Sequence, residues 1–503
     1  MNAFLHRSSR ADADRHRLSW VVRPADMTTP VRLFLSLRAA GHHTCLLESV
    51  EGPARLARYS FVGVDPVARF RGFPGKSWLE SGETKETLLG SSHEALREVI
   101  RGFAAPKPPP GLPPFCGGWI GWFAYEWACT LEPRVPRVEP DTWRVPEATF
   151  DLYRDLVAFD HAAQQLIVIG ACPAGASDFD EAMERIERLT ESFDSPSIGP
   201  LTGAGLRILD PEPRPRTTQA DFEAGVARLQ DAIRQGEIFQ AVLSQRFEQR
   251  CEGDLFTLYR VLRLTNPAPH MFFFETDGST LVGSSPERLI SVRDGRIQVV
   301  PIAGTRPRHE DPDEDERLGL ELAADPKERA EHDMLVDLAR NDIGRVARVG
   351  TVAVKEHATL ERFQRVQHLV SRVECDLASG RDALDALAAC FPAGTVSGAP
   401  KVRAMELLAE LEPTTRGPYG GAFGYVDCSG NLDMCITIRT LAVRKGTIHV
   451  QAGAGVVFDS VPEREHQETL DKAQALFEAV RMADSPAFRP ASHPAGVTEE
   501  AAR

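Results

Sequence analysis

Two glutamates on predicted helices are the first candidates for chemistry. In ERAEHDMLVDLARND, residues 328–342, apolar residues recur at the three- and four-residue spacing of a buried helical stripe, namely Met334, Leu335, Leu338 and Ala339. One turn before Leu335 the stripe reaches Glu331, so a carboxylate begins the apolar face. Because an unpaired buried anion is costly, we expect a cation to neutralise Glu331. The alternative is an exposed first-turn glutamate that favours the helix dipole.

Glu468 is a possible partner for that cation. It lies in EREHQETLDKAQALF, residues 463–477, where Glu465, Glu468 and Lys472 share one helical face. A hard cation such as Mg²⁺ takes one or two carboxylates and completes its shell with water and substrate oxygens. The pattern is consistent with a Mg²⁺ site, and an ordinary surface ion pair between Glu468 and Lys472 is the alternative.

Three further segments could hold a small anion. FPAGTVSGAPKVRAMELL, residues 391–408, places a glycine-rich turn before a helix, where backbone N–H groups can bind an anion. VQAGAGVV places Gly453 and Gly455 inside a strand, which is typical of a site where a ligand approaches the backbone. CITIRT predicts Arg439 in the middle of a strand, where it could bind a carboxylate. A tight structural turn and a solvent-facing arginine are the alternatives, and His368 alone is typical of a neutral core histidine.

The composition excludes several classes of protein. The chain has 503 residues and a formal net charge of −14, without a long run of Lys or Arg, so no nucleic-acid partner is expected. No apolar run of about 18 residues and no secretory signal is present, so we predict a cytoplasmic protein without a membrane partner. Nine scattered cysteines without a C-x-x-C pair predict reduced thiols rather than a zinc site or disulfides.

The elements that must position these residues include both strands and helices. Thr218 and Asp221 resemble a capping pair at the start of a helix that Gly236 ends. Runs of strands with D-G turns follow, and residues 421–457 read as a β-meander before a last helix that ends near Met482. Strands in runs with helices between them predict an α+β fold, a large antiparallel β-sandwich flanked by helices.

The predicted organisation has five parts. They are a disordered N-terminus at residues 1–17, an N-terminal domain at 18–200, a Pro-rich linker at 201–216, a catalytic domain at 217–483 and a disordered tail at 484–503.

Eight segments in this order resemble the chorismate-utilising enzymes. They are PIAGTRPR, AEHDMLVDLARND, HLVSRV, GTVSGAPKVRAMELL, YGGAFGY, DMCITIR, QAGAGVVFDS and a final E-T-x-x-K. The match covers about residues 217–480, and CLLES with ARYSFVG extends it into the first predicted domain. Within the family the chain most resembles component I, the large subunit, of anthranilate synthases, which makes anthranilate from chorismate and ammonia.

The resemblance implies a role for each candidate residue. Glu331 and Glu468 match the family's two Mg²⁺ ligands, and Mg²⁺ would hold the ring carboxylate of chorismate. Glu287 matches the proposed general acid/base, while His368 and Thr395 match residues around the reacting ring and the departing pyruvate. The positions that match chorismate-binding residues are Gly304, Thr305, Tyr419, Arg439, Gly453, Ala454, Gly455 and Lys472.

Two positions distinguish among members of the family. Relatives that add water carry a lysine base where this chain has Gln240, and a glutamine cannot deprotonate water. Aminodeoxychorismate synthases commonly carry a lysine that forms a covalent adduct where this chain has Ala303. Aminodeoxychorismate synthase component I of folate biosynthesis is the second interpretation, and a non-catalytic regulator that binds tryptophan or chorismate is the third.

Two segments resemble the family's tryptophan feedback site. CLLES and NPAPHM contribute the predicted contacts, which are Leu47, Glu48, Ser49, Pro269, His270 and Met271. His270 replaces the tyrosine often found at its position, so the affinity for tryptophan is open. The sequence contains no glutaminase elbow, so the resemblance implies a separate glutamine amidotransferase subunit, component II, as the source of ammonia.

Overall fold

The computed structural model describes residues 4–7, 17–50, 58–104, 107–139, 143–172, 176–191, 193, 205–363 and 366–488. The strands are β1 Phe4–Arg7, β2 Arg17–Pro24, β3 Thr44–Glu48, β4 Tyr59–Val64, β5 Ala68–Phe73, β6 Lys76–Ser81, β7 Thr84–Leu89, β8 Gly118–Phe123, β9 Ala148–Tyr153, β10 Asp155–Asp160, β11 Gln165–Cys172, β12 Arg207–Ile208, β13 Arg214–Pro215, β14 Gln240–Glu252, β15 His270–Thr276, β16 Ser279–Ser285, β17 Arg288–Arg293, β18 Arg296–Val299, β19 Ile302–Pro307, β20 Ala353–Arg362, β21 Val366–Asp376, β22 Gly398–Ala399, β23 Ala422–Asp427, β24 Leu432–Ile436, β25 Thr440–Arg444 and β26 Thr447–Val456. The helices are α1 Pro30–Ala39, α2 Ser92–Gly102, α3 Trp127–Leu131, α4 Ala176–Glu191, α5 Gln219–Arg234, α6 Phe256–Thr265, α7 Pro312–Ala324, α8 Pro326–Gly344, α9 Ala383–Cys390, α10 Lys401–Leu411 and α11 Pro462–Ala483.

The strands form two large antiparallel sheets. Sheet A has 14 strands in the order β1-β2-β11-β10-β4-β3-β15-β16-β25-β26-β14-β12, with β13 and β22 also paired to β14. Sheet B has 12 strands in the order β19-β21-β18-β17-β24-β23-β8-β9-β5-β6-β7, with β20 paired to β21. Neither order follows the chain, because strands far apart in sequence lie side by side in both sheets.

The two sheets pack face to face, and the helices cover their outer faces. Aromatic side chains from both sheets fill the space between them, and the rings of Phe272 on β15 and Phe423 on β23 stack with centroids 3.8 Å apart. Helices α1, α4, α6 and α11 share a core with sheet A, while α2, α8 and α9 share one with sheet B. The predicted α+β sandwich flanked by helices is confirmed.

Local sequence sets many element ends. Thr218 Oγ1 accepts a hydrogen bond from the Asp221 backbone N–H at 3.2 Å and caps α5, as predicted. The D-G dipeptides at 277–278 and 294–295 both adopt positive φ, the conformation that tight hairpin turns require. These turns join β15 to β16 and β17 to β18.

Some predicted boundaries differ from the structure. Strand β1 lies within residues 1–17, which were predicted to be disordered, and it pairs with β2. The predicted linker, residues 201–216, contains β12 and β13, and both pair with β14. Each sheet mixes strands from both sides of this linker, so the predicted boundary does not separate the sheets. Of the predicted tail, residues 484–488 follow α11, and the rest lies outside the described residues.

The predicted β-meander is wrong in one respect. Strands β23 and β24 belong to sheet B, but β25 and β26 belong to sheet A, so the chain changes sheets between Ile436 and Thr440. The cysteines with described side chains, all except Cys172, are unpaired thiols, as predicted. None of the helices in the described part of the chain is long and apolar enough to cross a membrane.

Candidate active site

Two segments at which the chain leaves one sheet for the other form the centre of the site. The first crossover, residues 286–287, joins β16 of sheet A to β17 of sheet B, and the second, residues 437–439, joins β24 of sheet B to β25 of sheet A. Hydrogen bonds connect them, because the Ile436 N–H donates to the Glu287 carbonyl at 3.0 Å and the Ser284 N–H donates to the Arg439 carbonyl at 3.1 Å. Glu287 and Arg439 are thereby fixed beside each other.

Glu287 on the first crossover is a half-buried carboxylate with few partners. The Thr395 hydroxyl donates a hydrogen bond to Glu287 Oε2 at 3.2 Å, and no ion pair with Glu287 occurs among the described residues. Burial raises the pKa of Glu287, while Thr395, Lys472 and Arg439 oppose that rise. A carboxyl group with a raised pKa holds a proton closer to neutral pH, as a general acid must.

Arg439 on the second crossover is a cation without a carboxylate partner in the described structure. Its Nη1 donates to the Lys472 carbonyl at 2.8 Å, and burial lowers the pKa of its guanidinium. The prediction that Arg439 lies in the middle of a strand is wrong, because it sits between β24 and β25 with a positive φ of 49°. The guanidinium has N–H donors left for a ligand's carboxylate.

Tyr419 and the glycines of β26 line the site next to Arg439. A Cβ atom at Gly453 would lie 2.9 Å from the Tyr419 hydroxyl oxygen, so only glycine lets the tyrosine approach this strand. Lys472 Nζ donates to the Gly453 carbonyl at 3.0 Å, which brings its ammonium group to the same strand. Gly455 also lies on this face, next to Gln240, whereas the buried Ala454 lies between the two glycines and faces the other side of the sheet.

Gly304, Thr305 and His368 form a second group on β19 and β21. Thr305 pairs with His368 across the two strands, and a bulge between Ala303 and Thr305 accommodates Gly304 at a positive φ of 69°. His368 Nδ1 lies 2.8 Å from the Gly304 carbonyl oxygen. Since a carbonyl only accepts, Nδ1 carries the proton and Nε2 of the neutral ring can accept one.

Glu331 is placed differently from the sequence prediction. The buried face of α8 consists of His332, Val336, Ala339, Asp342 and Ile343. Glu331 lies beside this face and is exposed, so the prediction that it begins the apolar stripe is wrong. A helix turns by about 100° per residue, and the one-residue difference moves the carboxylate from the core to the surface of α8.

The exposed carboxylates around Glu331 fit a divalent cation. Partial desolvation and the nearby carboxylates of Glu328, Asp459 and Asp325 raise the pKa of Glu331, which makes no hydrogen bond or ion pair with another described residue. Asp459 and Glu468 both also raise the pKa of Glu465, so like charges continue from α8 to α11. Glu468 itself pairs with Lys472 at 2.6 Å. A cation would relieve this repulsion.

The protein provides few metal ligands at one point. Within the described ranges, no group of three or more His, Cys, Asp and Glu side chains is arranged to hold a metal ion. A cation held by Glu331 and Glu468 would therefore take its other ligands from substrate and water, as Mg²⁺ commonly does. Asp459 is a residue that the sequence analysis missed, and its position before the Ser460 and Pro462 helix start was the available signal.

The predicted regulatory residues come together on two paired strands. Glu48 on β3 lies opposite Met271 on β15, and the Val50 N–H donates to the Ala268 carbonyl at 3.2 Å, so Ser49 lies beside His270. The Ser49 hydroxyl oxygen is buried and has no hydrogen-bond partner in the described structure. Burial lowers the pKa of His270 to about 4, so its ring is neutral at pH 7.

The Glu48 carboxylate, next to Ser49 in the chain, is enclosed by other side chains of the protein. Its carboxylate accepts hydrogen bonds from Arg263 Nε at 2.9 Å, from Arg263 Nη2 at 3.3 Å and from the hydroxyls of Tyr259 and Ser60. Its side chain is 1 % exposed. This carboxylate fixes the strand end that carries Ser49, and the contact of Glu48 with tryptophan stays a prediction.

Comparison with known proteins identifies the relatives of the chain. Residues 42–478 match the family model for chorismate binding enzymes. Anthranilate synthase component 1 of Streptomyces coelicolor is 43% identical over 470 residues, which cover 92% of this chain and 88% of that protein. The Aquifex aeolicus protein of the same name is 43% identical over 479 residues, 91% of this chain and 93% of that protein. The crystal structure of anthranilate synthase component I from Streptococcus pneumoniae is similar, with a TM-score of 0.76, 36% identity and coverage of 84% of this chain and 92% of that one.

Proposed function

The chain belongs to the chorismate-binding enzymes and, among them, to the anthranilate synthase component I family, and we propose that it converts chorismate and ammonia into anthranilate and pyruvate as the first step of tryptophan synthesis. One observation carries this proposal. The two linked crossovers hold a half-buried acid, Glu287, beside a half-buried cation, Arg439, and neither has an opposite charge in direct contact among the described residues. Chorismate carries two carboxylates and a hydroxyl leaving group, which need a cation and a proton donor.

The first stage of the reaction would use Glu287. Ammonia adds to the ring carbon next to the one that bears the ring carboxylate, and the hydroxyl across the ring leaves. A hydroxyl leaves as water only if it gains a proton, and Glu287 with its raised pKa can donate one. Arg439 would hold a substrate carboxylate through paired N–H donors, and Lys472 adds positive charge nearby.

The second stage releases pyruvate. The amino intermediate loses a ring proton and its enolpyruvyl group and becomes aromatic. We assign His368 to this stage as the candidate base, because its Nδ1 is committed to the Gly304 carbonyl and its Nε2 can accept a proton. Thr395, which donates to Glu287, would keep that carboxyl group oriented.

Glu331 and Glu468 would hold Mg²⁺ in this proposal. The repulsion among neighbouring carboxylates and the lack of a cation in contact with Glu331 support this assignment. When bound, Mg²⁺ would polarise the ring carboxylate of chorismate and stabilise negative charge that builds on the ring. The exposed position of both glutamates allows substrate and water to complete the coordination shell.

Ammonia is proposed to come from a glutamine amidotransferase subunit, component II. The relatives are named component 1, which supports a second component, and ammonium salt at high pH would replace that component in an assay. Aminodeoxychorismate synthase component I remains the second candidate. Ala303, which lies at the bulge of β19 and has no nucleophile, disfavours it.

Product analysis tests the proposal. The purified chain is incubated with chorismate, Mg²⁺ and ammonium chloride, and fluorescence with chromatography identifies anthranilate while a coupled assay measures pyruvate. We expect anthranilate and pyruvate in equal amounts. Aminodeoxychorismate without pyruvate would establish the second candidate instead, and absence of turnover together with chorismate binding would establish a regulator.

Tryptophan is proposed to inhibit the enzyme by binding at Ser49. The buried, unpaired Ser49 hydroxyl and the neutral ring of His270 support a ligand that combines polar and aromatic groups. Ser49→Phe should abolish inhibition by tryptophan and leave ammonia-dependent turnover near that of the wild type, since the phenyl ring would fill the pocket. Ser49→Ala serves as the conservative variant, because it removes the hydroxyl and leaves the space open, and it should only weaken inhibition. Unchanged inhibition of Ser49→Phe would place the tryptophan site elsewhere.

A further inference from the structure

A narrow cavity lies behind Tyr419, between the two sheets. Strands β25 and β26 of sheet A and nearby loops line it, through Trp143, Arg416, Pro418, Tyr419, Thr437, Thr440, Ala442, His449 and Gln451. The free space between its side chains admits only a molecule of the size of water. Tyr419 forms one wall.

Thr437 and Gln451 present unsatisfied polar atoms to this cavity. Thr437 is fully buried, and its hydroxyl oxygen has no hydrogen-bond partner in the described structure. Gln451 is 9% exposed, and its Oε1 also lacks a partner, although its Nε2 donates to the Ser244 hydroxyl at 2.9 Å. Each unpaired buried polar atom costs about 1–3 kcal/mol, so this cavity favours an occupant that satisfies both.

The chemistry of these atoms defines the occupant. Gln451 Oε1 only accepts hydrogen bonds, so the occupant must donate. Arg416 gives its N–H groups to Glu412 and to the Val396 and Val242 carbonyls, and Glu412 balances its charge. Burial lowers the pKa of His449, which keeps that ring neutral. The lining therefore suits a small, uncharged hydrogen-bond donor, a chemistry that ammonia and water share.

The position of the cavity connects it to the reacting groups. Gln451 and Gly453 are two residues apart on β26 and face the same side of the sheet. The Thr437 backbone N–H donates to the Gly421 carbonyl at 2.9 Å, and its carbonyl accepts from the Gly420 N–H at 2.9 Å, so Thr437 also fixes the turn that carries Tyr419. A Cβ atom at Gly453 would lie 2.9 Å from the Tyr419 hydroxyl oxygen, so Tyr419 lines the cavity and also reaches the strand that carries Gly453.

We propose that this cavity is an internal binding site for uncharged ammonia, held by Thr437 and Gln451 behind Tyr419 before it reacts. The proposal rests on the proposed function, in which ammonia is the second substrate. It assigns Thr437 and Gln451 as ammonia-binding residues and separates the ammonia site from the carboxylates and Arg439, which hold chorismate.

Thr437→Val tests the proposal, because valine keeps the shape of threonine and removes the hydroxyl. The KM for ammonia, measured with saturating chorismate, should rise about three- to tenfold, since one hydrogen bond is lost. The KM for chorismate and the thermal midpoint of unfolding should stay unchanged. Thr149→Val is the matched control, because Thr149 is also buried with an unpaired hydroxyl but does not line the cavity.

Ala442→Val fills the same space without removing a polar group. It should raise the KM for ammonia in the ammonium assay and lower glutamine-supported turnover with the amidotransferase subunit. If both variants retain the wild-type KM for ammonia, the cavity holds only structural water and the proposal is overturned. An equal rise for Thr149→Val would also overturn it. Failure of the proposed function is distinguishable, because the wild type itself would then make no anthranilate.

Discussion

Glu287 and Glu48 are both carboxylates withdrawn from water, and their surroundings differ. Glu48 accepts hydrogen bonds from Arg263, Tyr259 and Ser60, so its lone pairs are satisfied inside the protein. Glu287 accepts one side-chain hydrogen bond, from Thr395, and burial raises its pKa. A saturated carboxylate holds strands in place, whereas a carboxylate short of partners retains affinity for a proton or a ligand. The comparison distinguishes a carboxylate that stabilises the fold from one that can take part in a reaction, and three substitutions test this distinction.

Glu287→Gln should have the largest effect on turnover. We expect a loss of about 10²- to 10⁴-fold in kcat, because the glutamine cannot give a proton to the leaving hydroxyl. Since burial raises the pKa of Glu287 above its ordinary value of 4.5, the wild-type protein loses stability as the pH rises through that raised pKa. The variant lacks this loss, so its unfolding midpoint should exceed that of the wild type at pH 8 and the gain should vanish near pH 4.

Denaturant unfolding at several pH values, together with kcat at saturating chorismate, measures both effects. A variant that keeps wild-type turnover would remove Glu287 from the chemistry. A variant that is less stable at pH 8 would make Glu287 a framework residue like Glu48.

Glu331→Gln should have the next largest effect. Removing a group that hydrogen-bonds to a metal ligand typically lowers metal affinity or activity by roughly 10- to 100-fold. Removing the ligand itself should therefore lower Mg²⁺-dependent turnover by at least about 100-fold. Stability should not change, because the side chain is exposed and makes no hydrogen bond or ion pair with a described residue. A Mg²⁺ titration of turnover and a thermal unfolding curve are the measurements.

The control for this substitution is Glu478→Gln, which changes an exposed glutamate on α11 far from Glu468. It should leave both readouts unchanged. An equal loss of turnover in the control would show that general negative charge, and not a specific ligand, governs the response to Mg²⁺.

Glu48→Gln should have the smallest effect on turnover and the largest on stability. The change leaves Arg263 without its carboxylate in a partly buried position, so we expect a loss of about 2–3 kcal/mol in the free energy of unfolding. The folded fraction should retain its ammonia-dependent kcat. Unchanged stability would contradict the framework role, and a loss of kcat as large as that of Glu287→Gln would end the distinction between the two carboxylates.

Local patterns in the sequence are sufficient where an element's own residues determine its ends. The cap of α5 by Thr218 and the D-G turns of the hairpins are such cases. The sandwich class also follows from the pattern of strands. Edge strands such as β13, which has two residues and ends in a proline, cannot be predicted from the sequence. A Pro-rich charged segment has the composition of a linker whether or not it pairs with another strand.

The position of Arg439 illustrates what the sequence cannot reveal. The alternation of CITIRT continues through the second crossover, and nothing in this segment of the sequence indicates that the chain changes sheets there. Register and sheet membership depend on partners far away in the chain. The resemblance to known enzymes assigned Glu287 and Arg439 to one site, and the structure places them on two crossovers that hydrogen bonds connect.

The interleaved strand order has a consequence for synthesis on the ribosome. Strand β8 is buried along its whole length, and its partner β23 lies about 300 residues later in the chain. At roughly 5–20 residues per second of translation, β8 waits on the order of 15–60 s for that partner. During this interval an apolar strand edge is unprotected in the nascent chain. We therefore expect the yield of folded protein to depend on chaperones that cover this strand edge during translation.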